Sequence, residues 1–248
     1  MSGVLEREAS AERRAELAER LERVRGRMRD AAGGGPVPRL VVVTKNFPPS
    51  DALALAELGA ADLGENRDQE AAPKAEALAG RLESPPAWHF IGQLQSNKAK
   101  SVVRYASAVH SADRLSLVKA LGGAMSRALQ EGLRPDWAGA SLDVLVQVSL
   151  DDDAAGARGG AAPADVPRVA EAIASTPALE LRGVMGVAPL GADPAPAFER
   201  LAAVRDALRA DHPGAEWMSA GMSQDLEAAV GAGATHVRIG SDILGARR

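Results

Sequence analysis

Arg39-Leu-Val-Val-Val-Thr-Lys45 is an apolar, β-branched run that Pro48-Pro49 bring to a stop. β-Branched side chains are crowded in a helix and suit a pleated strand, and proline cannot donate to a ladder. The segment therefore reads as a buried strand with Lys45 at its carboxyl end. Seven similar runs follow, at 61–65, 88–92, 108–111, 142–149, 182–188, 216–220 and 236–240. Between them lie Ala/Leu/Glu/Arg-rich helical stretches at 50–59, 67–81, 97–105, 113–131, 164–175, 195–210 and 223–232, with a short C-terminal turn after the last run. Alternation of this kind implies parallel strands joined by crossover helices. Eight repeats favour a closed barrel over a doubly wound sheet, and 248 residues is close to the ~250 typical of a single (β/α)8 TIM barrel. No Gly-x-Gly-x-x-Gly follows the first run, which argues against a dinucleotide-binding sheet.

Ahead of the barrel, residues 10–31 predict an amphipathic helix. Ser10 is its N-cap, Leu17, Leu21, Val24 and Met28 form its apolar stripe, and Gly33-Gly34-Gly35-Pro36 ends it. The helix is expected to pack on the barrel, so that 1–248 is one α/β domain with an extra N-terminal helix. The Asp151-Asp-Asp-Ala-Ala-Gly-Ala-Arg-Gly-Gly-Ala-Ala stretch reads as a mobile rim loop, and 131–141 as an exposed connection at the other end. A net charge of −4 suggests neither a nucleic-acid nor a membrane surface. The absence of cysteine excludes disulfides, Fe–S clusters and thiolate zinc sites. The charged start lacks the apolar core of a secretion signal, and no stretch is long and apolar enough to span a bilayer, so a cytoplasmic protein is expected.

In such a barrel the site lies at the carboxyl ends of the strands. Lys45 ends the first run and is one of only five lysines. An amine so placed can condense with a carbonyl, although a solvated charge at a strand end is the plainer alternative. The turn Ser219-Ala-Gly-Met222-Ser223 and the turn Arg238-Ile-Gly240-Ser241 each combine a glycine with a hydroxyl after the last two runs, where phosphate sites recur in this fold. Ser223 is read as the cap of the helix that follows. Arg238, a charge within an apolar strand, needs a partner, either an interior salt bridge or a ring nitrogen kept unprotonated. His89, His110, His212 and His236 have no metal-ligand spacing and read as packed or surface residues.

Further segments extend the pattern: Val42-Val-Thr-Lys45, Leu63-Gly-Glu-Asn66-Arg-Asp-Gln-Glu70, Trp88-His-Phe-Ile-Gly92-Gln-Leu-Gln-Ser-Asn97-Lys98, Val109-His-Ser-Ala-Asp113, Leu181-Arg-Gly-Val-Met185, Met218-Ser-Ala-Gly-Met-Ser223-Gln-Asp225 and Val237-Arg-Ile-Gly240-Ser241. In this order the chain resembles the pyridoxal phosphate homeostasis protein family, whose fold is like the N-terminal domain of alanine racemase. The resemblance implies pyridoxal 5′-phosphate (PLP) held as a Schiff base on Lys45. It implies phosphate contacts from Ser219, Met222, Ser223, Gly240 and Ser241, with Arg238 at the pyridine nitrogen and Asn66 near the cofactor.

Racemases of this fold need a second base, a tyrosine from a C-terminal β-domain. The chain ends soon after its eighth run, and its only tyrosine, Tyr105, is expected to face away from the site. The expectation is therefore a non-catalytic, monomeric PLP carrier that buffers the cofactor or delivers it to apo PLP-dependent enzymes. A PLP-dependent amino-acid racemase and a Schiff-base aldolase acting on a sugar phosphate are the alternatives.

Overall fold

The eight runs form eight parallel strands: β1 (Arg39–Val43), β2 (Asp62–Glu65), β3 (Ala87–Phe90), β4 (Ala106–Ala112), β5 (Leu142–Gln147), β6 (Leu179–Met185), β7 (Trp217–Ser219) and β8 (His236–Ile239). Each strand pairs with its neighbours in sequence, and β1 pairs with β8 through Arg39↔His236 to Val42↔Ile239, so the sheet is a closed barrel. This computed structural model describes residues 8–151 and 159–245. Most of the loop expected to be mobile, 152–158, lies outside the described residues.

Helices α2 (Pro49–Glu57), α3 (Asp68–Ala79), α4 (Ala99–Val102), α5 (Leu115–Gln130), α6 (Val166–Ala174), α7 (Pro194–Asp211), α8 (Leu226–Gly231) and α9 (Ser241–Leu244) follow the strands in turn. The expected helix at 97–105 is in fact a 3-10 turn and a single α-turn. The expected helix at 223–232 starts only at Leu226. Asp225, not Ser223, takes the N-cap position, and its carboxylate turns back to accept the Met222 N–H at 2.5 Å without capping the helix.

Side chains alternate across each strand. Val42, Leu63, Trp88, Val109, Val144, Val184, Met218 and Val237 face outward into one apolar cluster shared with the helices. The inward positions are unusual. Barrel interiors are normally filled by branched aliphatics, whereas Asp62, His89, His110, Gln147, Ser219, His236 and Arg238 are all buried here.

The N-terminal helix, α1, spans Ala11–Ala32. The Ser10 hydroxyl accepts the Arg13 N–H at 3.1 Å, and Gly33 ends the helix in the left-handed region at φ 56°. Leu17, Leu21, Val24 and Met28 are its buried stripe. It packs against α2, α8 and α9. The segment 131–141 is mostly exposed, as expected, but it is anchored from within. Arg134 is buried and donates to the carbonyls of Val103, Ala106, Ala138, Gly139 and Ser141, which pins this connection beneath the barrel.

Candidate functional site

Lys45 lies two residues beyond β1, in the same alternation as the inward-facing Val41 and Val43. It lines a cavity of about 680 Å³ at the carboxyl end of the barrel. Among the described residues its ammonium has no ion-pair partner. The backbone on either side of it is clamped from α3. Lys74 Nζ donates to the Thr44 carbonyl at 2.8 Å, and the Asn46 N–H donates to Glu70 Oε2 at 2.7 Å. Asn46 itself adopts φ 65°, a left-handed conformation that asparagine tolerates better than most residues. Lys74 also meets Glu65 Oε1 at 2.6 Å, and the same oxygen accepts the Thr44 hydroxyl at 2.6 Å. Burial pushes the Glu65 carboxyl up from its ordinary value, while the Lys74 ammonium and the Thr44 hydroxyl pull it back.

Across the cavity stand the two glycine–serine turns. Gly221 has φ +89°, and a Cβ there would lie 2.6 Å from Ala229 Cβ. A Cβ on Gly240 would lie 3.2 Å from the Val43 carbonyl. Position 221 therefore needs glycine, and at Gly240 a side chain would be tight against β1. The Ser241 hydroxyl donates to Ser223 Oγ at 3.0 Å. Met222, Ser223, Gly240 and Ser241 line the cavity with Lys45.

Arg238 reaches the same cavity from within the barrel. It is 5% exposed, and its guanidinium donates to Ser219 Oγ at 2.6 Å and to the Gly186 carbonyl at 2.9 Å. Burial pushes its pKa down to about 10, which leaves it a cation at neutral pH. A fixed cation facing a ring nitrogen disfavours protonation of that nitrogen.

Two expected site residues sit differently. Ser219 is fully buried, and its hydroxyl is engaged by Arg238 and by His110 Nδ1 at 2.9 Å. It ends β7 facing inward and is not among the residues lining the cavity. Asn66 does not line the cavity. It follows β2 at the same barrel mouth, and its buried Oδ1 has no partner among the described residues. Sequence reasoning missed Glu70 and Lys74. Their signal was a second lysine, four residues after a glutamate, in a chain with few lysines. Tyr105 is buried, bonded to Asp68 at 3.4 Å, and absent from the cavity. Burial, Asp68 and Glu65 raise its pKa.

An unpaired amine, a buried guanidinium and a glycine–serine cradle on one cavity suit a ligand with a carbonyl, a ring nitrogen and a dianionic group. Three comparisons bear on this set. The family model described as alanine racemase, N-terminal domain, matches residues 15–248. The pyridoxal phosphate homeostasis protein of Mycobacterium tuberculosis is 41% identical over 254 residues, covering 97% of this chain and 96% of the relative. The structure of PipY from Synechococcus elongatus with PLP bound superposes with a TM-score of 0.78 at 29% identity, over 92% of this chain and all of that one.

Proposed function

The chain belongs to the pyridoxal phosphate homeostasis protein family, built on the alanine racemase N-terminal domain fold, and on that premise we propose that it holds PLP at Lys45 and serves intracellular PLP homeostasis as a carrier. The observation that carries this reading is the sharing of one cavity by Lys45, Arg238 and the two glycine–serine turns. PLP supplies an aldehyde that condenses with an amine, with loss of water, and a conjugated ring that absorbs near the visible edge. Lys45 provides the amine, free of any competing ion pair among the described residues. Ser223, Ser241 and the turn backbones of Met222 and Gly240 bind the phosphate, and Arg238 orients the ring.

The carrier reading, as opposed to an enzyme, rests on the titratable groups around the cavity. Among the described residues these are Lys45, Asp225 and Arg238. Arg238 is held as a cation, and Asp225 sits on the glycine–serine turn where it accepts the Met222 amide, so among the described lining residues no tyrosine or histidine stands opposite Lys45. Racemisation needs bases on both faces of the substrate. The cavity also opens to solvent beside the exposed Met222 and Leu190, which favours exchange of the cofactor with unloaded PLP-dependent enzymes.

The test is the absorption spectrum of purified protein titrated with PLP. Wild type should turn yellow, and Lys45→Ala should lose the band while remaining folded. Loaded protein incubated with single amino-acid enantiomers in deuterated water should exchange no α-proton at enzymatic rates. A colourless wild-type protein would overturn binding at Lys45, and rapid exchange would overturn the carrier role.

A further inference from the structure

A line of buried polar side chains leads from Arg238 through the barrel to its opposite end. Arg238 Nη1 meets Ser219 Oγ at 2.6 Å. Ser219 Oγ meets His110 Nδ1 at 2.9 Å. His110 Nε2 meets His89 Nδ1 at 2.8 Å, and His89 Nε2 meets Asp62 Oδ1 at 2.9 Å. Arg39, which is half exposed at the start of β1, closes the line on Asp62 at 2.7 Å. Six strands contribute, β1, β2, β3, β4, β7 and β8, from the amino ends of β1 and β2 to the carboxyl end of β7, and neither imidazole of the line borders the cavity.

The two ends fix the direction of the hydrogen bonds. A guanidinium only donates, and an ionised carboxylate only accepts. Burial at Asp62 would raise its pKa, but hydrogen bonding to His89 and the charge of Arg39 outweigh this and hold it low, in the accepting form. Burial, with His89, His236 and Arg238 nearby, keeps the His110 pKa well below the ordinary range, so His110 carries a single proton. Taking one proton on His89 as well, a single arrangement satisfies every bond. Ser219 donates to His110 Nδ1, His110 Nε2–H donates to His89 Nδ1, and His89 Nε2–H donates to Asp62. The Ser219 lone pairs are then left to Arg238. The third buried imidazole, His236, stands outside the line. Its Nδ1 meets Thr235 Oγ1 at 2.8 Å, and its ring centre is 6.2 Å from that of His89 and 6.4 Å from that of His110.

We propose that His110 and His89 are positioning residues for the PLP site, which fix Arg238 through Ser219 by a one-directional hydrogen-bond chain anchored on Asp62 at the far mouth of the barrel. The proposal rests on the PLP reading above for its functional half, while the chain itself is independent of any ligand.

The chain is tested first on unliganded protein labelled with ¹⁵N in its histidine rings. At pH 8, His110 and His89 should both appear as Nε2–H tautomers, with scalar coupling across the bond from His110 Nε2 to His89 Nδ1. Absence of that coupling, or two protons on His89, would overturn the chain even if PLP binds. The functional half is then read by PLP titration. His110→Leu should lower affinity about tenfold or more, because Ser219 loses a buried partner and Arg238 its fixed acceptor. His110→Gln, whose amide offers a donor and an acceptor, should restore most of that loss. Unchanged affinity in a folded His110→Leu would overturn the positioning role. Should His110→Leu fail to fold, Ser219→Ala carries the same test with the same outcomes. If wild type itself binds no PLP, the functional reading falls, and the coupling measurement still decides the chain.

Discussion

Lys74 and Glu65 meet beside the strand end that leads to Lys45. Both are nearly fully buried, and their 2.6 Å contact ties α3 to the end of β2 and, through the Thr44 carbonyl, to the backbone next to Lys45. Glu65 Oε2 has no partner among the described residues, so this carboxylate depends on Lys74 and Thr44. A buried ion pair adds little over a well-packed apolar pair, but removing one partner strands the other. Lys74→Met should therefore cost about 3–5 kcal/mol in urea unfolding. The double change Lys74→Met with Glu65→Leu should recover most of that loss. Equal stability of Lys74→Met and wild type would show that water reaches Glu65 and that the clamp is not dry.

Helix α1 acts on the site as well as covering the barrel. Arg27 donates to Asp242 in α9 at 2.6 Å, to Glu227 in α8 at 2.9 Å, and to the Ser223 carbonyl at 3.0 Å. One guanidinium thus ties together the segments after β7 and β8 whose glycine–serine turns line the cavity. Exposed ion pairs contribute only about 0–1 kcal/mol each to folding, so Arg27→Ala should melt close to wild type. Its PLP affinity should nonetheless fall by roughly three- to tenfold, since charge-assisted bonds hold both turns. A lowered melting temperature with unchanged affinity would assign Arg27 to stability alone. The elements themselves were largely legible in the sequence. Buried parallel strands read as continuous apolar runs, and the stripe of α1 recurs at helical spacing with a serine cap and a glycine stop. Lys45 and Arg238 were legible because a charge beside or within such a run stands out. Ser219 was legible as the end of the seventh strand, but its bonds to Arg238 and His110 were not, because they join strands far apart in sequence. The His89–His110 contact was hidden because the stagger of neighbouring strands, with His89 opposite Ala108, emerges only when the barrel closes.

At the scale of the whole molecule, the polar barrel interior makes the fold sensitive to acid. Burial, with His89 and Arg39 nearby, lowers the His236 pKa to about 3, and His110 is also held well below the ordinary range, chiefly by burial. An unfolded imidazole binds its proton near pH ~6.5. Between that value and the folded one, the unfolded chain holds more protons, so stability rises with pH and drains as pH falls. Each such imidazole costs about 1.4 kcal/mol per pH unit across its window. Loss of the low Asp62 pKa adds to the decline in the more acidic range, since its ionised form is stabilised in the fold. Urea unfolding free energies should therefore fall steeply from pH 6.5 downward. His236→Gln removes one titrating ring while leaving an amide for Thr235, so its slope between pH 6 and pH 4 should be shallower by about 1.4 kcal/mol per unit. His236 lies outside the chain that holds Arg238, so this variant should bind PLP at neutral pH as wild type does. Parallel pH profiles for the two proteins would mean that His236 is already protonated in the fold, and the acid sensitivity would then have to come from the carboxylates.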